Sequence, residues 1–413
     1  MLRFEHVDVV FGSRPKQALA LLDQGEGRDQ IFEKTGNIVA VHDVCLDVAE
    51  GEICVLMGLS GSGKSSLLRC INGLNRVTRG KVLVRDGGRE VNVAACPAET
   101  LRRLRRASIS MVFQQFALMP WRTVRDNVAF GLEIRGAPKA ERERAVEEKL
   151  ALVRLDKWAD KYPHELSGGM QQRVGLARAF ATDASILLMD EPFSALDPLI
   201  REHLQDELME LQRTLRKTIV FVSHDLDEAL KIGSRIAIME AGRIVQYGTP
   251  EEIVTAPKDD YVRQFVASMN PLNVLTAGTL MRNVEALRRA SAEAALPAPL
   301  LMLDRAGRCR CRLNSAGRPL DLTIEGRAGQ FVAYTPDLDL DALPANAMVS
   351  GDTRTPMRIA ILVRQRTRRP LVVLGEQGEL LGCVGEHEIY RGMLRQFHLG
   401  RDEPAPAPAA AEV

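Results

Sequence analysis

The stretch MGLSGSGKSS, residues 57–66, constrains this chain more than any other. It follows the apolar run ICVLM, which reads as a buried strand, and it fits the pattern G-x-x-x-x-G-K-[ST] with Gly58, Gly63, Lys64 and Ser65. Gly58, Gly61 and Gly63 free the backbone to turn its N–H groups towards phosphate oxygens, and Leu59, Ser60, Ser62 and Ser66 complete the loop. A helix opening at Lys64 aims the positive end of its dipole at the same point. Lys64 would reach the β and γ phosphates of a nucleotide. Ser65 would offer its hydroxyl to Mg²⁺, a hard cation that prefers oxygen ligands.

The loop sits in a chain of 413 residues, too long for one ordinary core and suited to two or three domains. With 55 basic and 54 acidic residues the formal charge is +1, so no global field argues for nucleic acid or an anionic membrane. No apolar run approaches the ~18–20 residues that cross a bilayer, and MLRFEHVDVV has no signal-peptide core. Work at a membrane would therefore run through a partner, from the cytoplasmic face. The 7 cysteines are scattered, which fits a reducing compartment, and Cys309 and Cys311 form a lone C-x-C without a second ligand pair.

Along the chain, residues 3–11 alternate weakly and read as a strand on an antiparallel flank. An insertion at about 13–37 follows: PKQALALLDQ suggests a short helix, GEGRDQIFEKTGN a polar loop, and strand patterning resumes at 39–48. GKVLVRDG reads as a strand, LRRLRR as a solvated helix face, and 138–155 as an exposed amphipathic helix. ILLMDE, TIVFVSHD and RIAIME are continuous apolar runs, as expected of strands buried on both faces of a parallel sheet. Between two of them Leu204, Leu208, Leu211 and Leu215 share one helix stripe, expected to pack in a core. Beyond Pro271 the apolar runs thin. Residues 276–296 suggest a helix, LLMLDRAGRCRCRL a hairpin, and RRPLVVLGEQGELLGCVGEHEIYRGMLRQ a strand, turn, strand and helix. Two such units would form a small α+β domain, followed by a Pro/Ala-rich tail expected to be disordered.

Four downstream elements sharpen the phosphate-loop reading. Asp190 and Glu191 end a buried strand, where Asp190 can hold Mg²⁺ and Glu191 can polarise an attacking water. LSGGMQQR places Ser167, Gly168 and Gly169 before a helix, suited to binding an anion or simply to capping. Gln114 and His224 leave buried strands towards the same sheet edge, where ligands of open α/β sheets gather.

Together GLSGSGKS, Gln114, LSGGMQQR, ILLMDE, SALD (194–197) and His224 resemble an ATP-binding-cassette (ABC) ATPase in order and spacing. The resemblance implies an α/β fold: a P-loop ABC ATPase domain with an antiparallel β flank and a helical subdomain over residues 1–268. It implies a catalytic base at Glu191, a switch histidine at His224, a Q-loop residue at Gln114 that touches Mg²⁺, and a dimer-interface residue at Asp197. In a homodimer, Ser167, Gly168 and Gly169 would contact ATP held by the other subunit. The insertion ending in EKTGN, MGLSGSGKSSLLRCINGL and MDEPFSALDPLIR resemble the ATPase subunit of importers for glycine betaine, proline betaine and related quaternary amines such as choline. That implies transmembrane permease subunits, a substrate-binding protein outside, and a place at the cytoplasmic face of the inner membrane. PLVVLGEQGELLGCVGEHEIYRGML resembles the end of a cystathionine-β-synthase-type (CBS) domain, so 275–396 is expected to be a degenerate CBS-like regulatory region and 402–413 the tail.

Three positions depart from the common cassette pattern: Met170 for Gln, Trp121 for His, and Thr35, with Phe32 nearby, where an aromatic usually stacks on adenine. Other readings are an importer for another small solute, a soluble ABC ATPase of DNA repair or translation, and a nucleotide sensor. One phosphate loop and no sustained heptads count against the second, and intact Asp190, Glu191 and His224 against the third.

Overall fold

Alternating and continuous apolar patterns sort the strands of the first part of the chain into two sheets. The computed structural model describes residues 2–267 and 274–394, which divide into two compact units, 2–253 with 257–267 and 254–256 with 274–394. The expected tail at 402–413 and the last two residues of 275–396 lie outside the described residues.

In the first unit, β1 (Leu2–Phe11), β2 (Ile38–Val48), β4 (Arg79–Asp86) and β5 (Arg89–Asn92) pair antiparallel in the order β2-β1-β4-β5. A second sheet, of order β10-β9-β3-β8-β7-β6, uses β3 (Ile53–Met57), β6 (Ile109–Val112), β7 (Ile186–Asp190), β8 (Thr218–Val222), β9 (Arg235–Glu240) and β10 (Arg243–Gly248). All neighbours in it are parallel except the β9–β10 hairpin. β3, β7 and β8 are buried at every position, which is why their sequences are unbroken apolar runs. Helix α3 (Lys64–Ile71) contributes Leu67, Leu68 and Ile71 to a core that also holds Leu2, Phe4 and Val82 of the antiparallel sheet and Leu56, Leu188 and Val220 of the parallel one. Each such side chain contributes ~1.5–3 kcal/mol on full burial.

The insertion forms two helices, α1 (Pro15–Asp23) and α2 (Arg28–Thr35). The polar stretch expected to be a loop is therefore helical, because its ends are capped and one residue anchors it. Gly27 N donates to Gln30 Oε1, Gly36 closes the helix at φ 66°, and Ile31 joins Ala18, Leu22, Val10 and Val39 in a small core. The buried carboxylate of Asp8 accepts from His42 Nδ1 (2.8 Å), Asp43 N (2.9 Å) and Arg79 Nε (2.6 Å), and Arg79 reaches on to Asp23 of α1.

The helical part comprises α4 (Ala98–Ala107), α5 (Val124–Ile134), α6 (Lys139–Leu152) and α7 (Gly168–Ala181); α8 (Pro198–Leu215), α9 (Leu226–Ile232), α10 (Pro250–Thr255) and α11 (Asp260–Val266) follow. Side chains cap most of the later ones: Thr123 accepts from Asp126 N, Ser167 from Met170 N, Asp197 from Ile200 N, Asp225 from Glu228 N, Thr249 from Glu252 N and Asp259 from Val262 N. The arginines of α4 are partly spent within the unit, Arg103 on Asp86 and Arg105 on Asn72 O. The leucine stripe of α8 holds only in part. Leu204 and Leu208 are buried, Leu215, the last residue of the helix, is exposed, and the Leu211 side chain lies outside what is described.

The second unit is one eight-stranded sheet of order β11-β18-β17-β16-β15-β14-β13-β12. Its strands are β11 (Arg282–Asn283), β12 (Leu300–Met302), β13 (Cys309–Leu313), β14 (Pro319–Ile324), β15 (Arg327–Ala333), β16 (Ala347–Gly351), β17 (Leu371–Leu374) and β18 (Leu380–Val384). The single helix expected at 276–296 is instead α12 (Ala277–Leu280) and α13 (Val284–Glu293), parted by β11. Asn283 ends the extended stretch by capping Ala286 N, while Arg282 pairs with Cys383. The later strand, turn, strand and helix is present as β17, β18 and α15 (Glu386–Met393), after α14 (Met357–Thr367). The earlier hairpin, β12–β13, is followed by strands rather than by a helix. Among the basic residues of 364–369, Arg364 pairs with Glu386 and Arg366 with Asp341 at the surface, and Arg369 donates to Ala347 O.

Candidate active site

β3, β6, β7 and β8 run parallel, so the segments leaving their carboxyl ends gather at one edge. After β3 the loop 58–63 depends on glycine at two points. A Cβ at Gly58, where φ is 142°, would lie 2.1 Å from Met239 O, and one at Gly63, where φ is 99°, 2.2 Å from Ala40 O. Lys64 is buried and its Nζ donates to Gly58 O (2.8 Å) and Leu59 O (2.9 Å). Burial pulls its pKa down, and the carboxylates of Glu191 and Asp190 offset only part of that. Leu59 N donates to the Tyr261 hydroxyl of α11, a contact with no signal in the sequence.

β7 delivers the two carboxylates. Asp190 is fully buried, accepting from Ser65 Oγ (2.7 Å) and Arg69 Nη2 (2.9 Å). The Ser65 hydroxyl and this carboxylate form an all-oxygen pair beside the loop, a donor set that fits Mg²⁺. Arg69, from the second turn of α3, escaped the sequence reading because an arginine in a helix carries no motif. Glu191 Oε2 accepts from Gln114 Nε2 (3.1 Å), and His224 Nδ1 stands 3.5 Å from the same oxygen. Three strand ends thus converge on one carboxylate. Gln114, expected among the metal ligands, here donates through Nε2 to Glu191.

Behind His224, Ser223 Oγ donates to the buried Glu228 (2.5 Å), which also accepts from Gln205 Nε2 (3.0 Å). Burial raises the Glu228 pKa, opposed by those two hydrogen bonds. Ser167 and Gly168 are exposed at the start of α7, and among the described residues no hydrogen bond joins Ser167, Gly168 or Gly169 to the loop 58–66. They lie instead beside the turn after β7: a Cβ at Gly169 would meet Ala195 O at 3.0 Å, and Asp197 ends that turn by capping α8. Gln172, one turn into α7, is buried and donates to Glu191 O.

A phosphate loop, a buried aspartate, a strand-end glutamate and a histidine at one parallel edge define a P-loop ATPase of the ABC type. Residues 41–194 match the ABC transporter family model. The chain is 42% identical over 405 residues to the glycine betaine/proline betaine transport system ATP-binding protein ProV of Escherichia coli, covering 96% of this chain and 98% of that one. It is 49% identical over 287 residues to the glycine betaine transport ATP-binding protein OpuAA of Bacillus subtilis, 70% of this chain and 68% of the relative. A solved ATP-binding cassette dimer in a post-hydrolysis state with ADP and Pi superposes with a TM-score of 0.52 at 33% identity, over 60% of this chain and 99% of that one. The chain belongs to the ATP-binding subunits of ABC transporters. Among its described residues no helix is long and apolar enough to cross a membrane.

Proposed function

We propose that this chain is the ATP-hydrolysing subunit of an importer for quaternary amines of the glycine betaine, proline betaine and choline class. It works as a homodimer on permease subunits at the cytoplasmic face of the inner membrane, supplied by a substrate-binding protein outside. The names of its relatives support the substrate class. The observation that carries the chemistry is the convergence of Gln114 and His224 on Glu191 Oε2.

In this reading the N–H groups of residues 58–66 and the Lys64 ammonium bind the β and γ phosphates. Ser65 and Asp190 hold Mg²⁺, which when bound neutralises charge on the phosphates. Gln114 and His224 orient Glu191 and the water between it and the γ-phosphate. Glu191 takes a proton from that water as its oxygen bonds to phosphorus. The bond from phosphorus to the bridging oxygen breaks, and ADP leaves with the electron pair. Ser167 to Gly169 and Asp197 serve the ATP bound by the other subunit. The second unit regulates rather than catalyses, since every phosphate, metal and base candidate lies before it; its later strand, turn, strand and helix support the CBS-like reading.

A positioned base contributes ~10²–10⁴-fold. Glu191→Gln should therefore nearly abolish hydrolysis while MgATP still binds and an ATP-bound dimer accumulates; wild-type turnover would remove Glu191 from the role. Uptake of labelled glycine betaine, choline and carnitine by cells with and without the subunit and its permease tests the substrate class.

A further inference from the structure

Glu191 carries a side chain yet sits at φ 49°, in the left-handed region that non-glycine residues avoid. Such a conformation persists only where the surroundings over-determine it. Here both sides of the residue are pinned. Its N–H donates to Val222 O (3.1 Å), and its carbonyl accepts from Ser194 Oγ (3.0 Å) and Gln172 Nε2 (3.1 Å). Gln172 uses the other end of its amide as well, where Oε1 accepts from Ala195 N at 3.0 Å. The side chain is 1% exposed, so water competes for neither bond. It arrives from α7, whose first turn packs on the same segment through Gly169.

We propose that Gln172 is a positioning residue for ATP hydrolysis: its amide clamps the backbone at Glu191 and Ala195, fixing where the base stands and tying it to the helix that opens at Ser167. The inference rests on reading Glu191 as the base. Because both bonds go to main-chain atoms, the clamp is blind to the side chains it holds. A displacement of the first turn of α7 is passed to the Glu191 carbonyl through one side chain, so the helix end that would read the partner subunit's ATP sets the alignment of the base in its own subunit.

Two variants of the full chain test this. Gln172→Met keeps length and burial but removes both bonds. Gln172→Glu keeps an oxygen for Ala195 N and loses the donor to Glu191. A misplaced base of this kind should lower kcat by about 10–100-fold in both, with the Kd for a fluorescent ATP analogue within about twofold of wild type and an ATP-bound dimer still formed on size exclusion. In a Glu191→Gln background, single-turnover rates should fall no further when Gln172 is changed. The proposal is overturned by wild-type kcat in Gln172→Glu, by loss of nucleotide affinity and dimer along with kcat, by losses that multiply with Glu191→Gln, or by failure of both variants to fold. Wild-type turnover in Glu191→Gln alone would instead retire the reading of the base.

Discussion

Replacing Asp8 by Asn removes one charge from a site with almost no water. Oδ1 of Asp8 accepts from His42 Nδ1 and Asp43 N, and Oδ2 accepts from Arg79 Nε at 2.6 Å, with the residue 1% exposed. Asn can keep an oxygen only at one of these positions. Keeping it at Oδ1 saves two bonds and turns its NH₂ against the Arg79 guanidinium. The lost bond is charge-assisted, worth ~1.5–3 kcal/mol, and what remains of the Arg79 anchorage is a half-exposed pair with Asp23 worth ~0.2–1 kcal/mol. Asp8→Asn should therefore cost about 2–3 kcal/mol and Asp8→Ala about 3–5, since Ala strands all three donors. Both tryptophans, Trp121 and Trp158, lie in the first unit, so their fluorescence during urea unfolding reports that unit. The midpoint should move at unchanged slope.

The acid dependence gives a second check. Burial by itself raises the Asp8 pKa, but His42, Asp43 N and Arg79 outweigh it, and the folded value lies below the ordinary one. A lowered carboxylate stabilises above its unfolded pKa of ~3.9, and the benefit fades as pH falls towards the folded value. The gap between wild type and Asp8→Asn should narrow below about pH 4. A loss under ~0.5 kcal/mol, the size of an ordinary surface change, or a gap that does not narrow in acid, would refute the reasoning.

Lys64→Ala should weaken nucleotide binding, measured by ATP titration, because the charge against the phosphates is gone. Mixing that chain with a Ser167→Arg chain should restore some ATPase, since one site of the heterodimer then carries neither defect; a folded, dimeric, silent mixture would exclude sites shared between subunits. A chain ended near Met269 should still bind and hydrolyse ATP but lose its response to salt or to a regulatory nucleotide, a coupling of ~1–3 kcal/mol; loss of ATPase in a folded truncation would exclude modular regulation. Thiol labelling at pH 8 should strike the exposed Cys45 first and Cys96 slowly, because burial pushes Cys70, Cys311 and Cys383 up to about 12 and Cys309 to about 11, and raises Cys54 further. Rapid modification of Cys309, Cys311 and Cys383 would show that the second unit opens in solution, and of Cys54 and Cys70 that the first does.

The parallel sheet was legible because β3, β7 and β8 have no polar face to interrupt their apolar runs, and the site because phosphate chemistry needs Gly58, Gly63, Lys64, Asp190 and Glu191 in fixed order. What escaped depends on distant partners. Ile31 and the exposed Phe32 are the two apolar residues of a polar helix, and only Val10, Ala18, Leu22 and Val39 bring Ile31 into a core. Arg282 breaks a helical pattern because Cys383, far along the chain, offers a ladder. Nothing in the sequence joins the arginines of 364–369 to Asp341 and Glu386, which pair with two of them at the surface. Gln172 stands inside LSGGMQQR, yet its partner is a main-chain carbonyl that leaves no mark on the sequence.

The pairing of Arg282 with Cys383 also sets a timetable. The strand that borders the sheet of the second unit is made first, and its partner last, some hundred residues later by those numbers. At ~5–20 residues per second, a ribosome needs about 5–20 s to bridge that gap. Through that interval β11 has no ladder to join, and the hairpins between must hold together without the strand that closes them. The second unit can therefore complete only once β18 has been made, well after the last strand of the ATPase core, β10, has left the ribosome.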